Sequence, residues 1–131
     1  MPLELNTKPF KLTFGERGEM AGWGYLVRHG FQIIEKNYRC ALGELDVVAR
    51  KGKRLYFIEI KTRTHHRQGR PEEAVHSKKQ TKLAHLAQWY LKEKKIGDAQ
   101  AGFAVLGITW PEGREPEIRF IENAFDLKES S

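Results

Sequence analysis

An α/β domain is the fold class this sequence predicts: a mixed sheet of about five strands in the order α-β-β-β-α-β-β, with helices covering both faces. Three observations predict it. Two segments, Gly15–Gly30 and a longer one beginning near Ser77, repeat apolar residues at helical spacing. Between them lie three runs rich in β-branched and aromatic residues, broken by turn signals. The third of these runs is apolar on both faces, with Leu55 and Phe57 on one and Tyr56, Ile58 and Ile60 on the other. Only a central strand covered from both sides needs that pattern.

The elements follow in order. Residues 1–13 have no clear period and read as a loose leader, 14–127 as a single domain and 128–131 as a tail. In the first helix Met20, Trp23, Leu26 and Val27 supply the apolar spacing, Arg28 and His29 fall in the last turn, and Gly30 is placed to take the left-handed conformation that ends a helix. Gly24 weakens the helix by roughly 1 kcal/mol relative to alanine, which suggests close packing against a strand there. Phe31–Arg39 forms the first strand, and Ala41–Gly43 turns the chain into the second, Glu44–Ala49. Arg50-Lys51-Gly52-Lys53 reads as a tight hairpin turn, so Arg54–Thr62 returns antiparallel. A basic loop, Arg63–Pro71, precedes Glu72–His76 and the second helix, for which Ser77 is the expected N-cap. Leu83, Leu86, Ala87, Tyr90 and Leu91 form its stripe and Gly97 its end. Ala101–Thr109 is a nearly continuous apolar strand, and Glu117–Ile121 an edge strand.

Composition narrows the function classes. With 131 residues, 40 % apolar, 31 % charged, 12 Gly and 5 Pro, the chain has the makings of one core and lacks those of a disordered segment. A single cysteine, Cys40, cannot close an internal disulfide and reads as a packing residue. The first eleven residues hold no long apolar run of a signal peptide or anchor, so a cytoplasmic protein is expected, without membrane contact. The net charge of +6 is unevenly spread: Arg50–Lys95 holds 14 Lys or Arg against 4 Glu, and the remaining residues hold 9 against 13. A polycationic middle suits a nucleic acid, whose phosphates it neutralises with release of counterions. A solvated basic helix face is the alternative reading of the same charges.

The chemically informative anomaly is in the hairpin. Glu59 and Lys61 interrupt an apolar central strand and share one face, as Glu44 and Asp46 do on the partner strand. A turn centred on Lys51-Gly52 puts residues whose numbers sum to 103 opposite one another, which sets Glu44 against Glu59 and makes Asp46 the diagonal neighbour of Glu59. Carboxylates brought together on a covered sheet need a compensating cation. Hard oxygen donors without a His or Cys cluster favour Mg2+ (or Mn2+) over zinc. Such a cation would acidify water for phosphodiester hydrolysis, and Lys61 would orient that water or stabilise charge on the phosphate. A structural ion pair between Glu59 and Lys61 is the alternative, because an Asp followed by Glu-X-Lys is a weak pattern taken alone.

Its surroundings make the pattern more specific. Gly18-Glu19, Asn37-Tyr38-Arg39, Gly43-Glu44-Leu45-Asp46 and Phe57-Ile58-Glu59-Ile60-Lys61-Thr62-Arg63 together resemble the YraN-like family of putative endonucleases, within the PD-(D/E)XK superfamily and similar in layout to archaeal Holliday-junction resolvases. The resemblance runs from about Gly15 to Phe125. It implies a restriction-endonuclease-like core, Asp46 and Glu59 as metal ligands, Lys61 as the catalytic lysine, and Glu19 as an additional acidic group at the metal. Leu45 stands where the superfamily name has proline, a position that contributes no functional group.

Other residues are weaker candidates. Glu44 points at the same site if that register holds, and at solvent otherwise. Arg63, Arg67 and Arg70 in the basic loop, with His65 and His66 beside them, and Lys78, Lys79 and Lys82 at the start of the second helix are the expected nucleic-acid contacts. Trp23, Trp89 and Trp110 read as core residues rather than stacking platforms. The functional expectation is a Mg-dependent endonuclease acting on DNA, with branched or structured DNA as one substrate class and a homodimer compatible with the sequence. A non-catalytic nucleic-acid-binding module on the same fold is the alternative, and a scaffold that uses its basic helix for an acidic protein partner is a third reading.

Overall fold

The structure, a computed structural model, describes residues 11–65, 67, 77–97 and 100–122. The expected leader up to residue 10, the segment Glu72–His76, loop residues His66 and Arg70, the side chains of Ser77 and Lys78, and the chain beyond Glu122 lie outside that description. Seven elements follow in the expected order: α1 (Phe14–Arg28), β1 (Gln32–Cys40), β2 (Gly43–Lys51), β3 (Arg54–Arg63), α2 (Ser77–Glu93), β4 (Gln100–Thr109) and β5 (Glu117–Glu122). The strands form one sheet in the spatial order β1-β2-β3-β4-β5. All neighbours are antiparallel except β3 and β4, which are parallel. A parallel pair needs a crossover, and α2 supplies it.

The core has two layers because β3 is apolar on both faces. Leu55 and Phe57 pack with Tyr38, Leu83, Leu86 and Tyr90 under α2. Tyr56, Ile58 and Ile60 pack with Leu26, Leu106 and Ile108 under α1. The α2 stripe matches its expected positions, with Leu91 only partly buried.

α1 is seated by a different face from the one its large residues suggest. Met20 is 52 % exposed and Val27 60 %, while Gly18, Gly22 and Leu26 are buried. A Cβ on Gly18 would lie 2.1 Å from Thr62 Oγ1, and one on Gly22 would lie 2.9 Å from Leu106 Cδ2. The helix therefore approaches the sheet through its smallest residues, and the larger neighbours are left outside. Gly24 is not one of the close-packing positions; a Cβ there would meet only the Arg28 guanidinium.

The helix ends are made by local chemistry. Thr13 caps α1 in a reciprocal box with Glu16. Gly30, at φ +89°, closes the other end, with its N–H donating to Val27 O and that of Phe31 to Leu26 O. At the end of α2 the left-handed residue is Lys95, at φ +57°, rather than Gly97. The N–H of Ile96 reaches Leu91 O, so the chain leaves the helix two residues earlier than the glycine suggests.

Candidate active site

The hairpin between β2 and β3 turns through Gly52-Lys53, with Gly52 at φ +63°, so paired residues have numbers that sum to 105. The register expected from the sequence is two residues out. A shift of two keeps every side chain on its face but changes its partner. Extended beyond the last pair, the observed register sets Asp46 level with Glu59, and Glu44 level with Lys61.

The β2–β3 ladder itself stops at Val47↔Ile58, while β2 stays with β1 as far as Gly43 and β3 stays with β4 as far as Arg63. The two strands thus fork at Asp46 and Glu59. Leu45 packs under α2 and Val47 under α1, although residues two apart on a regular strand share a face, so β2 rolls over at Asp46. Across the fork the Ile60 N–H donates to Asp46 Oδ2 at 2.8 Å. A side-chain carboxylate there takes the hydrogen bond that a paired strand's carbonyl would otherwise accept.

Glu59 is only 8 % exposed, a buried acid in an apolar strand. Lys79 Nζ stands 2.7 Å from its Oε1 and Lys61 Nζ 3.6 Å from the same atom. Asp46 is half-buried, and burial together with the Glu59 charge pushes its carboxyl up to about 7, against the opposing pull of the Ile60 amide. Glu19 on α1 is raised by burial and by the charges of Glu44 and Glu16. Burial lowers Lys61, and Lys79 beside it adds to the effect. Burial would lower Lys79 as well, but its bond to Glu59, its contact with Lys61 and the charges of Glu59 and Asp46 together outweigh this and leave it raised.

Glu19 reaches the fork because Gly18 lets α1 rest on Thr62. It lines, with Glu16, Asp46, Glu59, Lys61 and Thr62, a hollow of about 430 Å³. Asp46, Glu59, Lys61 and Glu19, the residues singled out from sequence, are thus brought together. Glu44 does not line the hollow: its Oε2 pairs with Arg39 Nε at 3.0 Å on an exposed surface, near enough for its charge to act on Glu19. Among the expected nucleic-acid contacts, Arg63 lines a small hollow next to the fork with Thr62, Thr64 and His65. Arg67 is exposed, its N–H on His65 Nδ1, and Lys82 lies against Gly43 at the β1–β2 turn. Arg70 and the Lys78 side chain lie outside the described residues.

Lys79, expected from the sequence as a nucleic-acid contact, stands instead at the fork on Glu59, a pairing the sequence did not foretell. The signal was available in the topology. A helix that crosses from β3 to a parallel β4 must begin at the C-terminal end of β3, where Glu59 and Lys61 stand.

Among the described residues no group of three or more His, Cys, Asp and Glu side chains is arranged as a ready metal cage. The donor set nonetheless suits a hard divalent cation. Asp46 lies within reach of the Glu59 charge, a repulsion that adds to burial in raising the Asp46 carboxyl. A cation bound by both would relieve it, and magnesium commonly takes one or two carboxylates with water completing its shell.

The pattern of the "Uncharacterised protein family UPF0102" matches residues 18–120, a span that includes Glu19, Asp46, Glu59, Lys61 and Lys79. Similar proteins, each described as a UPF0102 protein, include one from Geobacter metallireducens, 44 % identical over 88 % of this chain and 93 % of its own length. One from Syntrophotalea carbinolica is 40 % identical over 89 % and 94 %. One from Moorella thermoacetica is 36 % identical over 85 % and 93 %.

Proposed function

The chain belongs to the UPF0102 family, and for this member we propose a divalent-metal-dependent endonuclease that hydrolyses phosphodiester bonds in DNA, on a restriction-endonuclease-like PD-(D/E)XK core. The observation that carries this reading is the fork: two strands part where an aspartate and a buried glutamate meet, with Lys61 beside them. A pairing that weakens the sheet and sets carboxylates together is costly unless it serves a ligand.

Asp46 and Glu59 would hold Mg2+ or Mn2+, with Glu19 at the rim. Such a cation would supply positive charge against the phosphodiester and acidify water beside it. The chain's own groups do the rest. The Ile60 amide fixes Asp46 Oδ2, so one carboxylate is held before substrate arrives. Lys61 Nζ, drawn towards Glu59, is placed to donate to a phosphate oxygen as negative charge develops there. Lys79 neutralises Glu59, a role that a bound cation would share. Arg63 and Arg67 are suited to the flanking phosphates.

One observation favours a second reading, a nucleic-acid-binding module without catalysis: the Lys79 ammonium already occupies Glu59 as a cation would. The experiment is a cleavage assay on single-stranded, duplex, flapped and four-way-junction DNA in magnesium and in manganese, with Asp46→Asn as control. The parent is expected to cut at least one substrate and the variant none. Equal cutting by both, or none by either, favours the binding module.

A further inference from the structure

Phe14 lines three adjoining hollows: the fork, the small hollow at Thr62–His65, and a third of about 580 Å³ beyond it. The third is bounded by Arg17, Trp110, Glu112, Arg114 and Glu115. Its floor is a built stack. Trp110 Nε1–H donates to Arg114 O at 2.8 Å, which fixes the indole, and the Arg17 guanidinium lies 4.4 Å over the ring. Arg17 is exposed and lines the hollow.

The lining chemistry differs from that of the fork and of the basic loop. Two arginines face two glutamates, and a phosphate tract would meet those carboxylates as well as the cations. A neutral, planar group with polar edges fits better. Its face would stack on the guanidinium–indole pair, and the Glu112 and Glu115 carboxylates that line the hollow would accept from its amino or imino N–H groups. A volume of this size is in the ordinary range for a small-ligand site.

We propose that this hollow receives an unpaired nucleobase from the same strand whose phosphodiester lies at Asp46 and Glu59, the sugar–phosphate passing over Thr62–His65 between them. This rests on the nuclease reading for the fork and deepens it. The substrate class becomes nucleic acid with an unpaired nucleotide beside the reacting phosphate, such as a single strand, a flap or a branch point. Fully paired duplex offers no free base to the hollow.

The test is binding, measured in the Asp46→Asn background without divalent metal, so that no cutting intervenes. Arg17→Lys keeps the charge and removes the plane; Arg17 is exposed, so folding is not at stake. Affinity for a short single-stranded oligonucleotide is expected to fall about tenfold with the loss of one stacking platform, while affinity for blunt duplex changes by less than about twofold. Single-stranded DNA and RNA form separate arms. A fall in either supports the pocket and identifies its source. An abasic strand should bind equally well with and without the Arg17→Lys change. Unchanged single-strand affinity in both arms, or an equal fall for duplex, overturns the proposal. A parent protein that cuts DNA while Arg17→Lys fails to discriminate loses the base pocket and keeps the nuclease.

Discussion

At the turn end of the β2–β3 hairpin, Val47–Lys51 pair with Arg54–Ile58, and side chains such as Val47, Val48, Phe57 and Ile58 are buried on the two faces of the sheet. A few residues further along the same two strands the ladder is gone, and the space holds two carboxylates and two ammonium groups. The closed end is what apolar pairing makes when nothing else is asked of it. The open end exchanges that stability for a concentration of charge that only a ligand or a lysine can balance. Both ends sit on one continuous strand, β3, so the rigid end positions the charged one.

The largest expected difference between them is in stability. Phe57→Ala, at the closed end, empties a site against Tyr90 and Phe103 and should cost about 3–5 kcal/mol in urea unfolding. A loss under about 1 kcal/mol would mean that the α2 face is not a tightly packed core. Next, Gly18→Ala tests the docking that carries Glu19 to the fork. Helix propensity favours alanine, but its Cβ would lie 2.9 Å from Thr62 Cβ as well as against the hydroxyl. A net loss of about 1–3 kcal/mol is expected, together with weaker metal binding; a stabilised variant would show that α1 can shift freely.

The open end should show its cost as a pH dependence. The Asp46 carboxyl lies at about 7 in the folded protein against an ordinary value of 3.8. Its folded pKa is raised, so its contribution is fully present below about pH 4 and is lost as pH rises through about 7. Metal-free protein should therefore lose stability across that window, and Asp46→Asn should be more stable than the parent at pH 8 by about 1–3 kcal/mol. Parallel pH profiles for parent and variant would remove the electrostatic account of the fork. The smallest effect belongs to Glu44→Ala. Its pair with Arg39 is exposed, so stability should change by less than about 1 kcal/mol and metal affinity hardly at all. A clear loss of metal affinity would return Glu44 to the site.

Much of this architecture was legible in the sequence because period decides it. Alternation in β3 put Leu55 and Phe57 opposite Tyr56, Ile58 and Ile60, and the Leu83–Tyr90 stripe identified the buried face of α2. Parity also grouped Glu59 with Lys61 even with the turn misplaced, because a two-residue shift leaves faces unchanged, whereas Asp46 joins them at the point where β2 rolls over. Exact partners were not legible. Lys51-Gly52 and Gly52-Lys53 are equally plausible turn centres by composition, and only the second makes Asp46 level with Glu59. The α1 face was misjudged for a related reason: hydrophobic size points to Met20 and Val27, whereas close approach to Thr62 and Leu106 selects Gly18 and Gly22. The pairing of Lys79 with Glu59 was not legible, because charge runs carry no direction. Its position follows from the crossover, which is a property of topology rather than of local sequence.

We propose that the open end holds a divalent cation between Asp46 and Glu59. The most direct measurement is a magnesium and manganese titration followed by thermal unfolding at pH 8, in parent and Asp46→Asn. A ligand bound only by the folded state at about a hundred times its Kd stabilises by about 2.7 kcal/mol. The account predicts a gain of that order in the parent, approached as metal rises, and none in Asp46→Asn. Equal gains in both proteins, or no gain in the parent at any concentration, would contradict it.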